Sequence, residues 1–120
     1  MQEMNLRNYA YFGDALWELY IREKTIFMTN NSQKLHKITT DFVKTHFQYE
    51  LLLYLEEYLT DEEKEIVKRA RNLPIPVGRR NIQHEYRYAT AFETILGYTY
   101  INNKSRYEEI MGLLKDKINL

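Results

Sequence analysis

The sequence predicts an all-α fold, and three observations predict it. Apolar residues recur at helical spacing, and no clean two-residue alternation runs anywhere in the chain. Only four glycines and two prolines punctuate 120 residues, and the prolines sit together at Pro74 and Pro76. The hydrophobic share of 44% is that of a globular core, in a chain long enough for one such core and short for two.

The elements follow in order. A first helix is expected over residues 8–27, with Gly13 tolerated inside it. Asn30-Asn31-Ser32 breaks the pattern and offers an N-cap for a second helix over residues 33–44. A third helix covers residues 47–59, with Leu51, Leu52, Leu55 and Tyr58 as its buried stripe. Thr60-Asp61-Glu62-Glu63 has the form of a capping box, in which the Thr60 hydroxyl meets the Glu63 amide while Glu63 reaches back. It opens a fourth helix to about Asn72. A loop over residues 73–82 holds both prolines, Gly78 and the pair Arg79-Arg80. The fifth helix, residues 84–101, is unusually apolar and ends at Asn102-Asn103. The last carries Tyr107, Ile110, Met111, Leu114 and Ile118 on one face. The expected organisation is therefore about six helices in one domain over residues 1–120.

Composition removes several chemistries. With no cysteine, disulfides, thiolate zinc sites and cysteine nucleophiles are out, in keeping with a reducing compartment. Met1-Gln2-Glu3-Met4-Asn5 lacks the basic-then-apolar order of a signal peptide. The longest apolar run, residues 51–55, is far below the roughly 18–20 residues of a membrane span. A cytoplasmic protein without a membrane partner is expected. His84-Glu85 is followed by Tyr88 where a zinc-protease helix needs a second His, and no phosphate-binding glycine loop is present.

Two acids stand out by their surroundings. Asp14 lies in Tyr9-Ala10-Tyr11-Phe12-Gly13-Asp14-Ala15-Leu16-Trp17, and Glu93 is the sole charge between Tyr88 and Tyr98. A carboxylate turned into a core costs several kcal/mol unless it is paired or holds a metal. Each acid alone is consistent with a narrow exposed stripe or an arginine partner. Two of them on the two most apolar helices favour a shared cation. Oxygen-only ligation suits Mg²⁺ or Mn²⁺, and Mg²⁺ takes only one or two carboxylates. Glu18 shares a face with Asp14, where it either orients a metal-bound water or pairs with Arg22.

Formal net charge is zero, yet its distribution is uneven. Between Val67 and Arg87 stand Lys68, Arg69, Arg71, Arg79, Arg80 and Arg87 against Glu85 alone, a net +5 that leaves −5 for the remainder. Beside the two acids, this segment points to phosphate-backbone contact, and duplex RNA is read largely through phosphates, shape and 2′-hydroxyls. Most of the 11 tyrosines are assigned to the core rather than to base stacking, Tyr11, Tyr20, Tyr54, Tyr98 and Tyr107 lying on apolar faces.

The acid-bearing segments also resemble a known family. Tyr11-Phe12-Gly13-Asp14-Ala15-Leu16 is similar to the first ribonuclease III signature, and Thr90-Ala91-Phe92-Glu93-Thr94-Ile95-Leu96-Gly97 to the second. Leu35-His36-Lys37, Arg69-Ala70-Arg71-Asn72 and Tyr86-Arg87-Tyr88-Ala89 look like the Mini-ribonuclease III variant. The resemblance spans residues 10–100 in order. It departs at Ala10 and Thr90, where longer members carry further carboxylates, and over residues 39–47, where it assigns no role to Thr40, Lys44 or the nearby Gln48.

The resemblance implies an Mg²⁺-dependent endoribonuclease that cleaves double-stranded RNA to 5′-phosphate and 3′-hydroxyl ends, with Mn²⁺ as a possible substitute. Asp14 and Glu93 become metal ligands and catalytic acids, with Glu18 and Thr90 beside them. Lys37 joins Lys68, Arg69, Arg71, Arg79, Arg80 and Arg87 as RNA-binding residues. Also implied are a homodimer, to which the helix around Gly97 contributes interface or core, and precursor large-subunit (23S) ribosomal RNA as substrate. A ribosomal protein that presents the RNA is a further partner of this reading. No separate duplex-RNA-binding domain is expected. A catalytically silent duplex-RNA-binding domain of the same fold is the alternative, and an all-α adaptor the third.

Overall fold

The computed structural model describes residues 5–75, 78 and 83–120, so Arg79, Arg80 and most of the proline-bearing loop lie outside the described residues. The rest is all-helical, as the sequence predicts: α1 (Leu6–Thr25), α2 (Ser32–Val43), α3 (Thr45–Leu55), a 3-10 turn (Glu56–Tyr58), α4 (Asp61–Arg71), α5 (Gln83–Asn102) and α6 (Lys104–Lys115).

The helix starts are set by side chains written into the sequence. Asn5 Oδ1 accepts from the Arg7 amide at 2.9 Å, Asn31 Oδ1 from Lys34 at 3.0 Å, and Asn103 Oδ1 from Arg106 at 3.2 Å. The capping box at α4 is complete: the Glu63 amide donates to Thr60 Oγ1 at 3.1 Å, and the Thr60 amide to Glu63 Oε1 at 2.9 Å. Each such cap satisfies an amide the helix leaves unpaired and contributes about 1 kcal/mol.

α5 runs through the middle. It buries Ala89, Ala91, Phe92, Thr94, Ile95, Leu96, Gly97 and Thr99 against α1, α3, α4 and α6, which explains why it reads as apolar on nearly every side. Its two buried threonines return their hydroxyls to the preceding turn, Thr94 to Thr90 O at 2.7 Å and Thr99 to Ile95 O at 2.8 Å. α1 lies along α5 and buries Tyr9, Gly13, Trp17, Ile21 and Thr25, every fourth residue of one stripe. α6 closes the core with Tyr107, Ile110, Met111 and Leu114, followed by Ile118 just past its end.

Two expectations are corrected. Tyr11 is 83% exposed: it stands two residues from both Tyr9 and Gly13, which turns it to the opposite face of α1. Tyr58 is 42% exposed rather than part of the third helix's stripe. That helix stops at Leu55, and the tighter 3-10 turn swings Tyr58 outward over Tyr54 while Leu59 returns to the core.

α2 is the exception among the helices, for it fully buries none of its residues. Leu35, Ile38, Phe42 and Val43 are only half-covered. Its far end is nevertheless tied in, since Trp17 Nε1 donates to Phe42 O at 2.7 Å.

Candidate active site

The site begins with two glycines. A Cβ on Gly13 would stand 1.8 Å from the backbone oxygen of Glu93, and one on Gly97 would stand 2.1 Å from that of Tyr9. No side chain fits at either point, so α1 and α5 meet backbone to backbone. Gly97 thus serves core packing within the chain. The crossing carries Asp14, next to Gly13, directly onto Glu93. Phe92 and Trp17, both fully buried and edge-to-face at 5.2 Å, lock the two helices beside the acids.

Asp14 is exposed and Glu93 half-buried, so only one of the two acids is turned inward. Their carboxyl groups are close enough to interact. Burial pushes the Glu93 carboxyl up to about 9, helped by the neighbouring Asp14 carboxyl and by the charge of Glu18. The Gln48 amide acts in the opposite sense. Gln48, on α3 and only 4% exposed, is the residue of the site that sequence reasoning left without a role.

The other candidates fall into groups. Glu18 accepts from Arg22 Nη2 at 2.8 Å, the ion-pair reading of the sequence, and also borders a cleft of about 390 Å³ between α1 and α2 with Thr25, His36 and Thr39. Thr90 lines a small void with Arg7, Leu73 and Arg87. Lys37, Lys68 and Arg69 are exposed on α2 and α4. Arg87 donates to Arg71 O at 2.6 Å, satisfying the carbonyl end of α4, and Arg71 donates to Tyr88 Oη at 2.9 Å with its guanidinium over the ring. These two cations hold the α4–α5 junction in shape.

The donor set fits a hard divalent cation. Two carboxylates in contact accumulate negative charge, which in the cation-free protein is relieved by a proton on Glu93. Among the described residues no group of three or more His, Cys, Asp or Glu side chains converges as a cage. Two carboxylates match the number that Mg²⁺ takes when it retains most of its waters.

An all-helical domain that brings one acid from each of two crossing helices together has the donor set of a metal-dependent nuclease class. The chain belongs to the ribonuclease III family, for the Ribonuclease III domain model matches residues 7–104. It is an endoribonuclease of the type that acts on double-stranded RNA. Among curated relatives, Mini-ribonuclease 3 of Clostridium tetani is 39% identical over 95% of this chain and 78% of its own length. Mini-ribonuclease 3 of Gloeobacter violaceus is 36% identical over 94% and 84%, and that of Enterococcus faecalis 32% over 98% and 92%. The crystal structure of a Fusobacterium nucleatum protein superposes with a TM-score of 0.86 at 30% identity, covering 100% of this chain and 98% of that one.

Proposed function

We propose that the protein cuts duplex RNA with Mg²⁺ held by Asp14 and Glu93, Mn²⁺ being able to replace it. The observation that carries this reading is the close crossing of Gly13 on the Glu93 backbone, which sets Asp14 beside Glu93. Asp14 and Glu93 would hold the Mg²⁺, which when bound would supply a water of lowered pKa and charge stabilisation for the phosphate, giving 5′-phosphate and 3′-hydroxyl ends. Asp14 and Glu93 position that centre, and Glu18 adds negative charge one turn along α1 while Thr90 lies one turn before Glu93. Lys37, Lys68, Arg69, Arg71, Arg79, Arg80 and Arg87 contribute the positive field that draws in the phosphate backbone. Arg71 and Arg87 do so from tethered positions.

The protein acts as a homodimer in this reading, one site for each strand. Tyr11 and Leu19, exposed on the face of α1 away from the core, with exposed Ile26 and Phe27 just beyond its end, support a self-complementary interface. The similarity to mini-type enzymes supports precursor 23S ribosomal RNA as the cytoplasmic substrate, with a ribosomal protein presenting it.

The test is a gel assay on a labelled RNA duplex, with Mg²⁺ or with EDTA, wild type beside Glu93→Gln. Mg²⁺-dependent cutting that disappears in the variant is expected. Binding without cutting by folded wild-type protein would replace this reading with the silent duplex binder.

A further inference from the structure

We infer that His46 is a further determinant of duplex affinity: as an imidazolium it bridges Glu50 and Glu85 and cancels the one negative charge of the basic segment. The inference rests on the reading of residues 67–87 as the segment that meets the phosphate backbone. Glu85 is the sole acid among the six cations of that segment, and an acid there works against phosphate binding. It has a local reason to stand where it does. Glu85 lies in the first turn of α5, where a carboxylate complements the positive end of the helix dipole. The start of the helix and the field of the segment therefore ask opposite things of one position.

His46 resolves that conflict. It stands in the first turn of α3, which packs along α5. Its Nδ1 meets Glu85 Oε2, and its Nε2 lies 3.2 Å from Glu50 Oε1, one turn further along α3. A neutral imidazole has a single N–H, so a ring that meets a carboxylate oxygen at each nitrogen carries both protons and a positive charge. The hydrogen bond to Glu85 accordingly holds the ring above the usual histidine pKa. Lys44 opposes that proton, and itself pairs with Asp41 of α2 at 3.8 Å. Tyr49 lies beside the His46 ring, and His84 of α5 packs edge-on against Tyr49. His46 and Glu85 remain partly exposed, so their charges act on an approaching polyanion and the ring responds to the pH of the solvent. Loss of its proton leaves the Glu85 carboxylate uncompensated among the cations.

The test measures binding of a labelled RNA duplex in EDTA by wild type, His46→Gln, Glu85→Gln and the double variant, at about pH 5.5 and about pH 8. Glutamine keeps both side chains polar and removes their charge. His46→Gln is expected to bind about two- to fivefold more weakly than wild type at the lower pH and like it at the higher. The double variant, neutral as the masked pair is, should match wild type at the lower pH and exceed it at the higher. Wild-type binding by His46→Gln at the lower pH, or a double variant no tighter than His46→Gln, overturns the masking role. Failure of the underlying reading looks different: Arg79→Ala with Arg80→Ala would then leave the salt dependence of binding unchanged, and this inference would fall with it. Imidazole NMR on RNA-free protein checks the pair itself. The His46 titration midpoint is expected above that of an ordinary histidine and should drop in Glu85→Gln, and a midpoint that stays in place overturns the assignment.

Discussion

Glu93 carries a proton at neutral pH in the cation-free protein, because burial and Asp14 push its carboxyl from 4.5 to about 9. In the unfolded chain the same group ionises near its ordinary value. The folded state therefore binds more protons across that interval, and stability falls as pH rises from about 4.5 towards about 9. Melting in EDTA is expected to show that decline, and Glu93→Gln is expected to flatten it. A parallel slope in the variant would place the titration elsewhere. Glu63 behaves oppositely. Burial raises its carboxyl, but the Arg106 and Thr60 hydrogen bonds outweigh that and leave it below the usual value, so its contribution is lost as pH falls through the acid range. Arg106 grips it with Nε at 2.9 Å and Nη2 at 2.8 Å, and Arg106→Ala is expected to cost about 3 kcal/mol in urea unfolding by stranding a buried carboxylate. Asp14 and Glu93 were legible in the sequence because a lone acid within an apolar helix is conspicuous. Gln48 was not: a single neutral amide on a helix leaves no such mark, and only the fold shows what it faces.

At the scale of the element, most of the helices could be read from caps and periodicity, since both are local properties of the chain. What could not be read was how close two helices come. Gly13 looked like a residue merely tolerated in a helix, whereas it is the contact point with α5. Gly13→Ala gains helix propensity but forces the backbones apart, and a net loss of at least about 3 kcal/mol is expected in thermal or urea unfolding, together with the loss of cleavage. Exposed Gly112, with open space around its Cβ position, provides the control that alanine should leave unharmed or stabilise slightly. α2, which fully buries none of its side chains, is expected to open locally before the rest. Hydrogen exchange should show its amides exchanging well ahead of those of α5, and equal protection would contradict that.

For the whole molecule, a formal charge of zero conceals a basic segment set against an acidic remainder. Replacing Arg79 and Arg80 with Ala is expected to weaken duplex binding and to flatten its salt dependence, as fewer counterions are released. An unchanged slope would direct the RNA to another face. The tyrosines show why surface is harder to read than core. Tyr11 belongs to an apolar-looking segment, yet the four-residue rhythm of α1 rotates it into solvent.

The glycine contact also decides what kind of damage the enzyme can survive. Where side chains separate two functional groups, every lost methylene lets them drift. Here the gauge between the acids is the thickness of two peptide backbones, which no repacking of Leu, Ile or Phe can alter. Leu or Ile substitutions in the core away from the acids should lower the melting temperature while the surviving folded molecules keep wild-type metal affinity, so that durability and chemistry are inherited separately.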